Sequence, residues 1–188
     1  MQAQMIIMRD IIYAATGHGA DFTKVCAELN LEPTDLNNSD VWVPFKQGAE
    51  MWNVVVKNTR DPLLGLHLGE EMSPTILGML GYLMQSSRTL HEAFLVVSKY
   101  FELSSTMAKF SVEERGDRIL IHHESMVLWR HQYPESARQS VEYALSGVIK
   151  LCKLLSGKKI VPVHVAFAYP SRSVSEYERI FHSPVHFN

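Results

Sequence analysis

The sequence predicts one α+β domain over residues 1–188, with a helical N-terminal portion followed by a small, mainly antiparallel sheet packed against helices. Three changes of pattern along the chain predict this architecture. Apolar residues recur at helical spacing as far as about residue 104, and they then alternate with polar residues from 109 to 124. Helical spacing returns after residue 134, and a second alternating run follows it.

Composition limits the class of protein. Hydrophobic residues make up 46% of the chain and charged residues 20%, which excludes a disordered or low-complexity chain. A net charge of −2 is too balanced for a general nucleic-acid clamp, and no apolar run approaches the ~18 residues of a membrane span. We expect a cytoplasmic globular protein with reduced cysteines and no membrane partner. The nine histidines are the one unusual number.

Three helices are predicted before residue 60. The first covers residues 5–16 and ends at Gly17, which favours a helix C-terminus. The second begins after Asp21, a typical N-cap, and runs to residue 29. The third runs from Pro44 to about residue 58.

Two dipeptides mark the next helix starts. Asp61-Pro62 opens a short helical segment, and Ser73-Pro74 opens a helix over 75–85. Gly78 and Gly81 lie inside that second helix, where each glycine costs roughly 1 kcal/mol relative to alanine. We therefore expect another helix or a ligand to pack against this backbone.

A helix and a hairpin follow. Thr89 and Glu92 fit a capping box, which opens a helix to about residue 104. The alternating runs 109–114 and 118–124 flank Arg115-Gly116-Asp117, a typical hairpin signal.

The last quarter returns to helix and then to strand. A helix is predicted over 134–156, a strand over 160–169, and a helix to about residue 182 from a capping box of Ser173 and Glu176. A strand begins again at 184–187 with no turn or partner after it. We expect from this ending that the chain is cut from a larger protein.

Adjacent histidines raise a metal hypothesis. In a strand His122 and Glu124 share one face, while His123 lies on the other with Ile121. A zinc or iron site needs three or more convergent ligands, and His131 or His164 is a candidate further ligand. The sequence has no HExxH, HxH or CxxC spacing, so we favour structural or surface roles.

Catalysis and direct DNA binding find little support in the sequence. There is no GxSxG motif, and Cys152 lies in the apolar stripe of a helix, so no enzyme is predicted. The first two helices resemble a helix-turn-helix in spacing, but residues 1–36 carry two basic against five acidic side chains. This net charge of −3 does not suit a DNA groove.

A small-molecule pocket is the remaining prediction. Such pockets are mostly apolar with a few placed polar groups. Aromatic and polar side chains fall among apolar ones in the middle of the chain, and we take six as candidate ligand contacts: His67, Tyr82, Tyr100, His123, Trp129 and Tyr143.

Five segments carry a resemblance to a known family. They are 61–69 (DPLLGLHLG), 78–82 (GMLGY), 86–93 (SSRTLHEA), 100–105 (YFELSS) and 181–187 (FHSPVHF). Together they resemble the N-terminal effector domain of AraC-type bacterial transcription regulators, in its arabinose-binding-like branch. The similarity runs from about residue 7 to residue 187.

The resemblance implies a regulator in which two helix-turn-helix units follow this domain and contact DNA. It implies a small-molecule effector, DNA contact only through the absent C-terminal domain, and leaves a homodimer open. The order of elements is also similar to haem-based nitric-oxide sensors. Their Tyr-x-Ser-x-Arg motif is not present at 122–127 (HHESMV), so we expect no haem and no other cofactor.

Three hypotheses stay open at this point. The favoured one is a non-catalytic domain that senses an effector among the helix at 75–85, the next helix and the sheet. The second is a dimerisation or interaction module without a ligand. The third is a metal-dependent enzyme built on His122, His123 and His131.

Overall fold

The chain folds into helices joined by short loops and three pairs of short strands, as seen in a computed structural model that describes residues 1–38, 40–171 and 173–188. The helices are α1 Met5–Gly17, α2 Phe22–Glu28, α3 Phe45–Thr59, α4 Leu64–Gly69, α5 Met79–Gln85, α6 Leu90–Tyr100, α7 Val127–Gln132, α8 Pro134–Ser156 and α9 Val174–Phe181. The strands are β1 Gln2–Gln4, β2 Trp42–Pro44, β3 Ala108–Arg115, β4 Arg118–Ser125, β5 Val165–Phe167 and β6 Val185–Phe187. The predicted α+β class is confirmed.

The strands form three separate two-stranded ribbons in the described residues. β1 pairs with β2 and β3 pairs with β4, both antiparallel, whereas β5 and β6 are parallel. The expectation of one small sheet is therefore corrected to three ribbons. β1 also bridges from Ala3 to Ser105, which ties the N-terminus to the segment before the hairpin.

Local capping signals set several of the predicted boundaries. The Asp21 carboxylate accepts a hydrogen bond from the Lys24 N–H at 2.9 Å and starts α2. Gly157, at φ +68°, ends α8 in the left-handed conformation that glycine adopts without strain. Gly116, at φ +63°, makes the tight turn between β3 and β4.

The predicted helix over 75–85 is interrupted at Gly78. A 3₁₀ turn covers Pro74–Leu77, and Gly78 at φ +55° and ψ −126° redirects the chain into α5. A Cβ atom on Gly81 would overlap the carbonyl oxygen of Pro74. The expected close packing against the backbone therefore occurs at Gly81. At Gly78, glycine is needed because the backbone has a positive φ that other residues rarely adopt.

The helix that follows Thr89 is shorter than predicted. The Thr89 hydroxyl caps the Glu92 N–H at 3.1 Å, but the Glu92 carboxylate accepts from Arg88 N–H rather than from Thr89. α6 ends at Tyr100, and the chain tightens into a 3₁₀ turn over Phe101–Leu103.

The predicted strand over 160–169 shrinks to β5. Its partner β6 is only three residues long, from Val165↔Val185 to Phe167↔Phe187, so the rest of the run has no ladder to join. Val163 is 79% exposed as a result. The final strand, β6, pairs with β5, which precedes it in the chain.

The capping box predicted at the start of α9 is wrong. The Ser173 side chain makes no cap hydrogen bond. The Glu176 carboxylate instead contacts His67 and Arg179, because tertiary charge partners compete successfully with the local backbone donor.

Two apolar cores pack against α8. The larger core joins α1, α3, α4, α6 and β3, with Val148 and Leu151 from α8. The smaller core holds Phe167, Tyr177 and other residues of β5, α9 and β6, against Val141 and Leu145 of α8. α8 is thus shared by both cores.

The DPLLGLHLG segment owes its glycines to the contact between α4 and α8. A Cβ atom on Gly65 would lie 2.9 Å from the carbonyl carbon of Gln139, and one on Gly69 would lie 2.6 Å from the carbonyl oxygen of Tyr143. The Gln139 side chain accepts from the Gly65 N–H at 2.6 Å. The Ser146 hydroxyl donates to the Leu66 carbonyl at 2.8 Å. The two helices are therefore in backbone contact.

Candidate functional site

A cavity of about 110 Å³ lies where α1, α3, α6, the β3–β4 hairpin and α8 converge. Apolar side chains from all five elements make most of its wall. They include Ile7, Met8 and Ile11 from α1, Met51 and Trp52 from α3, Phe94 and Val97 from α6, Phe110 from β3, and Val148 and Leu151 from α8. The side chains of the larger core therefore do not fill it completely.

The cavity wall carries no charged side chain among the described residues. Its polar side chains are few, and two of them already have partners. The Ser105 hydroxyl accepts from the Met107 N–H at 3.1 Å, and the Trp129 indole N–H donates to the Ser136 hydroxyl at 2.9 Å. Ser136 in turn donates to the Ala49 carbonyl. The other polar side chains of the described wall are Ser140, His123 and Tyr143.

His123 is an unusual group in this wall. The alternation of β4 turns it inward opposite Phe110, and its ring lies edge-on to Phe101 with centroids 5.9 Å apart. Both ring nitrogens are buried and have no hydrogen-bond partner in the described part of the chain. Burial lowers the pKa of His123 to about 4, so the imidazole is neutral at pH 7.

Tyr143 of α8 is another polar side chain of the wall. Its ring packs against Trp52 with centroids 5.6 Å apart. Burial, with a smaller contribution from Asp10, raises the pKa of the Tyr143 phenol above its ordinary value. The hydroxyl therefore remains protonated at pH 7, and it can act as a donor or an acceptor.

The six predicted contact residues divide into two groups. His123, Trp129 and Tyr143 meet in the cavity wall. Tyr82 and Tyr100 do not line it, since their side chains face solvent with 64% and 39% exposed. Tyr100 carries the Lys99 ammonium over its ring at 5.2 Å. His67 also lies outside the cavity wall.

His67 belongs to a charged cluster between α4 and α9. Its Nδ1 lies 2.5 Å from Asp61 Oδ2, and its Nε2 lies 3.0 Å from Glu176 Oε1. Arg179 joins Glu176 to Glu70. The hydrogen bond to Asp61 is the main cause of a raised His67 pKa, with burial opposing and Glu176 assisting. This arrangement stabilises an imidazolium and cross-links the two cores.

The geometry does not assemble the metal site of the third hypothesis. Across residues 1–38, 40–171 and 173–188, no three His, Cys, Asp or Glu side chains converge as ligands. His122 is exposed and lies 3.8 Å from Glu113, on the face of β4 opposite His123. Burial raises the pKa of the Cys152 thiol to about 11, which keeps it from acting as a thiolate.

Methionines are the cavity residues that the sequence reasoning missed. Five of the nine in the chain line it: Met8, Met51, Met72, Met84 and Met107. Methionine is flexible and polarizable, and it is common at adaptable binding surfaces. The number of methionines could therefore have indicated an adaptable binding surface, but it could not show which of them lie together in the fold.

No helix in the described ranges has the length and apolarity to cross a bilayer.

The family described as the arabinose-binding domain of AraC transcription regulators, N-terminal, matches residues 19–188. Two uncharacterized HTH-type transcriptional regulators, from Mycobacterium bovis and Mycobacterium tuberculosis, are each 24% identical over 114 residues. That match covers 60% of this chain and 33% of each relative.

A solved structure has a similar fold. The crystal structure of the transcriptional regulator CdpR from Pseudomonas aeruginosa matches with a TM-score of 0.51 and 20% identity. The similar region covers 88% of this chain and 50% of CdpR. The chain thus spans about a third of the curated relatives' length and half of that structure.

Proposed function

Because the chain belongs to the family of N-terminal arabinose-binding domains of AraC transcription regulators, we propose that residues 1–188 form one domain that senses a small-molecule effector. The domain is non-catalytic and cytoplasmic in this proposal. Effector binding shifts the balance between states that present an attached DNA-binding domain differently.

The observation that carries the proposal is the cavity between the helices and the hairpin. Well-packed cores leave few voids larger than a water molecule. An occupant here would touch α1, α3, α6, α8 and the hairpin at once. Binding would therefore stabilise the arrangement of these elements in which all of them contact the occupant.

DNA contact is assigned to another part of the full-length protein. The net charge of −2 gives this chain no excess of cations to neutralise phosphates. We therefore expect no operator binding by residues 1–188 alone.

Self-association is the second candidate function, and it is favoured by the exposed face of α5. Met79 is 75% exposed, Tyr82 is 64% exposed, and Leu83 lies beside them. Adjacent exposed apolar side chains are typical of interaction surfaces. A second copy of the chain would cover this face in a homodimer.

A thermal-shift and calorimetry screen of small metabolites tests the effector proposal, with mass spectrometry of any molecule that copurifies. Ala144 lines the cavity, so Ala144→Leu is expected to fill part of it and to reduce the affinity of a hit at least tenfold. Ala27 is an exposed alanine on α2 and is the matched control. Ala27→Leu is expected to bind as the wild type does.

The alternatives give different results in the same experiments. If nothing binds while sedimentation shows tight self-association that Tyr82→Lys abolishes, the interaction module replaces the effector domain. If a hit binds equally well to Ala144→Leu, the cavity is not its site.

A further inference from the structure

We propose that the cavity accepts a small uncharged molecule with an apolar body and a single hydroxyl or carbonyl group that hydrogen-bonds to His123. Sugars and carboxylates are excluded. This inference rests on the proposed function, because it names the chemical class of the effector for the same cavity.

Size is the first argument. An engineered apolar cavity of about 150 Å³ stays dry and takes up benzene or xenon. The cavity here, at about 110 Å³, is of similar scale and is too small for a ligand of drug size. The flexible Met51, Met84 and Met107 side chains in its wall allow it to adjust around an occupant.

Polarity is the second argument. A pentose brings four hydroxyl groups into any site, and each one needs a partner once water is removed. The described wall offers His123 and the hydroxyl groups of Tyr143, Ser140 and Ser105, while the Trp129 N–H already donates to Ser136. The Ser105 oxygen also accepts from the Met107 N–H. A sugar would need all of these groups to meet its hydroxyl groups at once, whereas a ligand with one hydroxyl or carbonyl needs His123 alone.

Charge is the third argument. A buried carboxylate needs a cation or several donors to replace its hydration. No Lys or Arg lies among the described residues of the wall. The neutral imidazole of His123 cannot supply the missing charge at pH 7, since burial lowers its pKa to about 4.

His123 has the correct chemistry for a single neutral polar group. A neutral imidazole has one N–H donor and one acceptor nitrogen, so it accepts from a hydroxyl or donates to a carbonyl. Both nitrogens are buried and unpartnered in the described structure. Unsatisfied buried polar atoms are rare in native proteins, and an occupant that bonds to one of them removes that defect.

Calorimetry with four probes tests the class. Phenol, toluene, benzoate and L-arabinose compare one hydroxyl, none, a charge and a polyol. We expect phenol to bind roughly tenfold more tightly than toluene, the value for one neutral hydrogen bond. Benzoate and L-arabinose should show no binding in the concentration range where toluene binds.

The variant His123→Phe isolates the hydrogen bond. Phe101 and Phe110 already surround this position, so an aromatic ring fits its environment. We expect phenol affinity to fall to that of toluene while toluene affinity is unchanged. His122→Phe, on the exposed face of the same strand, should preserve the tenfold preference.

A spectroscopic measurement on the wild type keeps the test independent of variant folding. Phenol should shift the ¹⁵N resonances of the His123 imidazole, and toluene should leave them nearly unchanged. Equal phenol and toluene affinities, or an unshifted His123 with phenol bound, overturn the inference. Tighter binding of benzoate or L-arabinose overturns it too, yet leaves the effector proposal standing. If no compound of any class binds, both proposals fail.

Discussion

His67 shows how one side chain joins the two cores. Its two nitrogens face two carboxylates, Asp61 at 2.5 Å and Glu176 at 3.0 Å. A carboxylate only accepts, so both bonds form together only when the imidazole carries two protons. The sequence predicted His67 as a ligand contact, and the structure places it outside the cavity wall, between Asp61 and Glu176.

This geometry sets a pH dependence. The His67 pKa is raised, first by the hydrogen bond to Asp61, so the cluster stabilises the fold fully below the unfolded histidine pKa of about 6.5. That contribution is lost as the pH rises through the higher pKa of the folded state. We expect His67→Gln to lose about 1–3 kcal/mol of unfolding free energy at about pH 6, and progressively less above it.

Urea unfolding across the neutral pH range measures the effect. His131→Gln is the control, because His131 is an exposed histidine of α7 and should show no such loss. A His67→Gln deficit that grows as the pH rises would contradict this assignment.

At the scale of elements, the close contact between α4 and α8 depends on glycine. Gly65 and Gly69 are four residues apart and so lie on the same face of α4. That face rests on the backbone of α8 at Gln139 and Tyr143. The DPLLGLHLG segment, which carried the family resemblance, is therefore a packing motif.

Gly65→Ala is expected to destabilise the protein strongly. The new methyl group would overlap the Gln139 carbonyl, which is backbone and cannot rotate away. Overpacking of this kind costs about 1–3 kcal/mol, and displacement of the Gln139 hydrogen bonds adds to it. The loss of unfolding free energy is measurable by denaturant titration.

Gly17→Ala provides the matched substitution. Gly17 lies at the end of α1 with nothing within 4 Å of an added Cβ. It should change stability by less than about 1 kcal/mol. Equal losses of unfolding free energy in the two variants would show that helix propensity determines the loss, rather than the contact between α4 and α8.

Elements with strong local signals were predictable from the sequence, and those fixed by distant partners were not. α1, α8 and the hairpin begin and end within about two residues of their predicted bounds, because glycines and alternation act locally. The ribbon of β1 and β2 was missed, since three-residue strands carry no period. At the cavity, the alternation of β4 puts His123 on the face with Ile121, whereas Glu176, one of the two partners of His67, lies 109 residues away.

Across the whole molecule, α8 connects two cores through a buried polar group. The Glu142 carboxylate accepts from the Tyr177 hydroxyl of α9 and from Arg138 Nε at 2.7 Å. Burial and then Glu142 raise the pKa of Tyr177, so its hydroxyl stays protonated as a donor. The smaller core is thus attached by directional bonds in addition to apolar contact.

Tyr177→Phe should loosen the smaller core selectively. Removal of a hydroxyl bonded to a buried carboxylate costs about 1–3 kcal/mol. We expect faster amide hydrogen exchange in β5, α9 and β6, with little change in α1 and α3. Tyr13→Phe, at a half-exposed position on α1, should leave all of these rates unchanged. Uniform acceleration throughout the chain would mean that the two cores unfold as one unit.

The backbone contact between α4 and α8 also has a mechanical consequence. Tyr143 contributes its side chain to the cavity wall and its carbonyl oxygen to the surface on which Gly69 rests. The small Ser146 side chain lies at this contact and donates to the Leu66 carbonyl of α4, so the two helices are joined by a hydrogen bond as well as by close packing. We therefore expect a displacement of α8 at Tyr143 to move α4 with it.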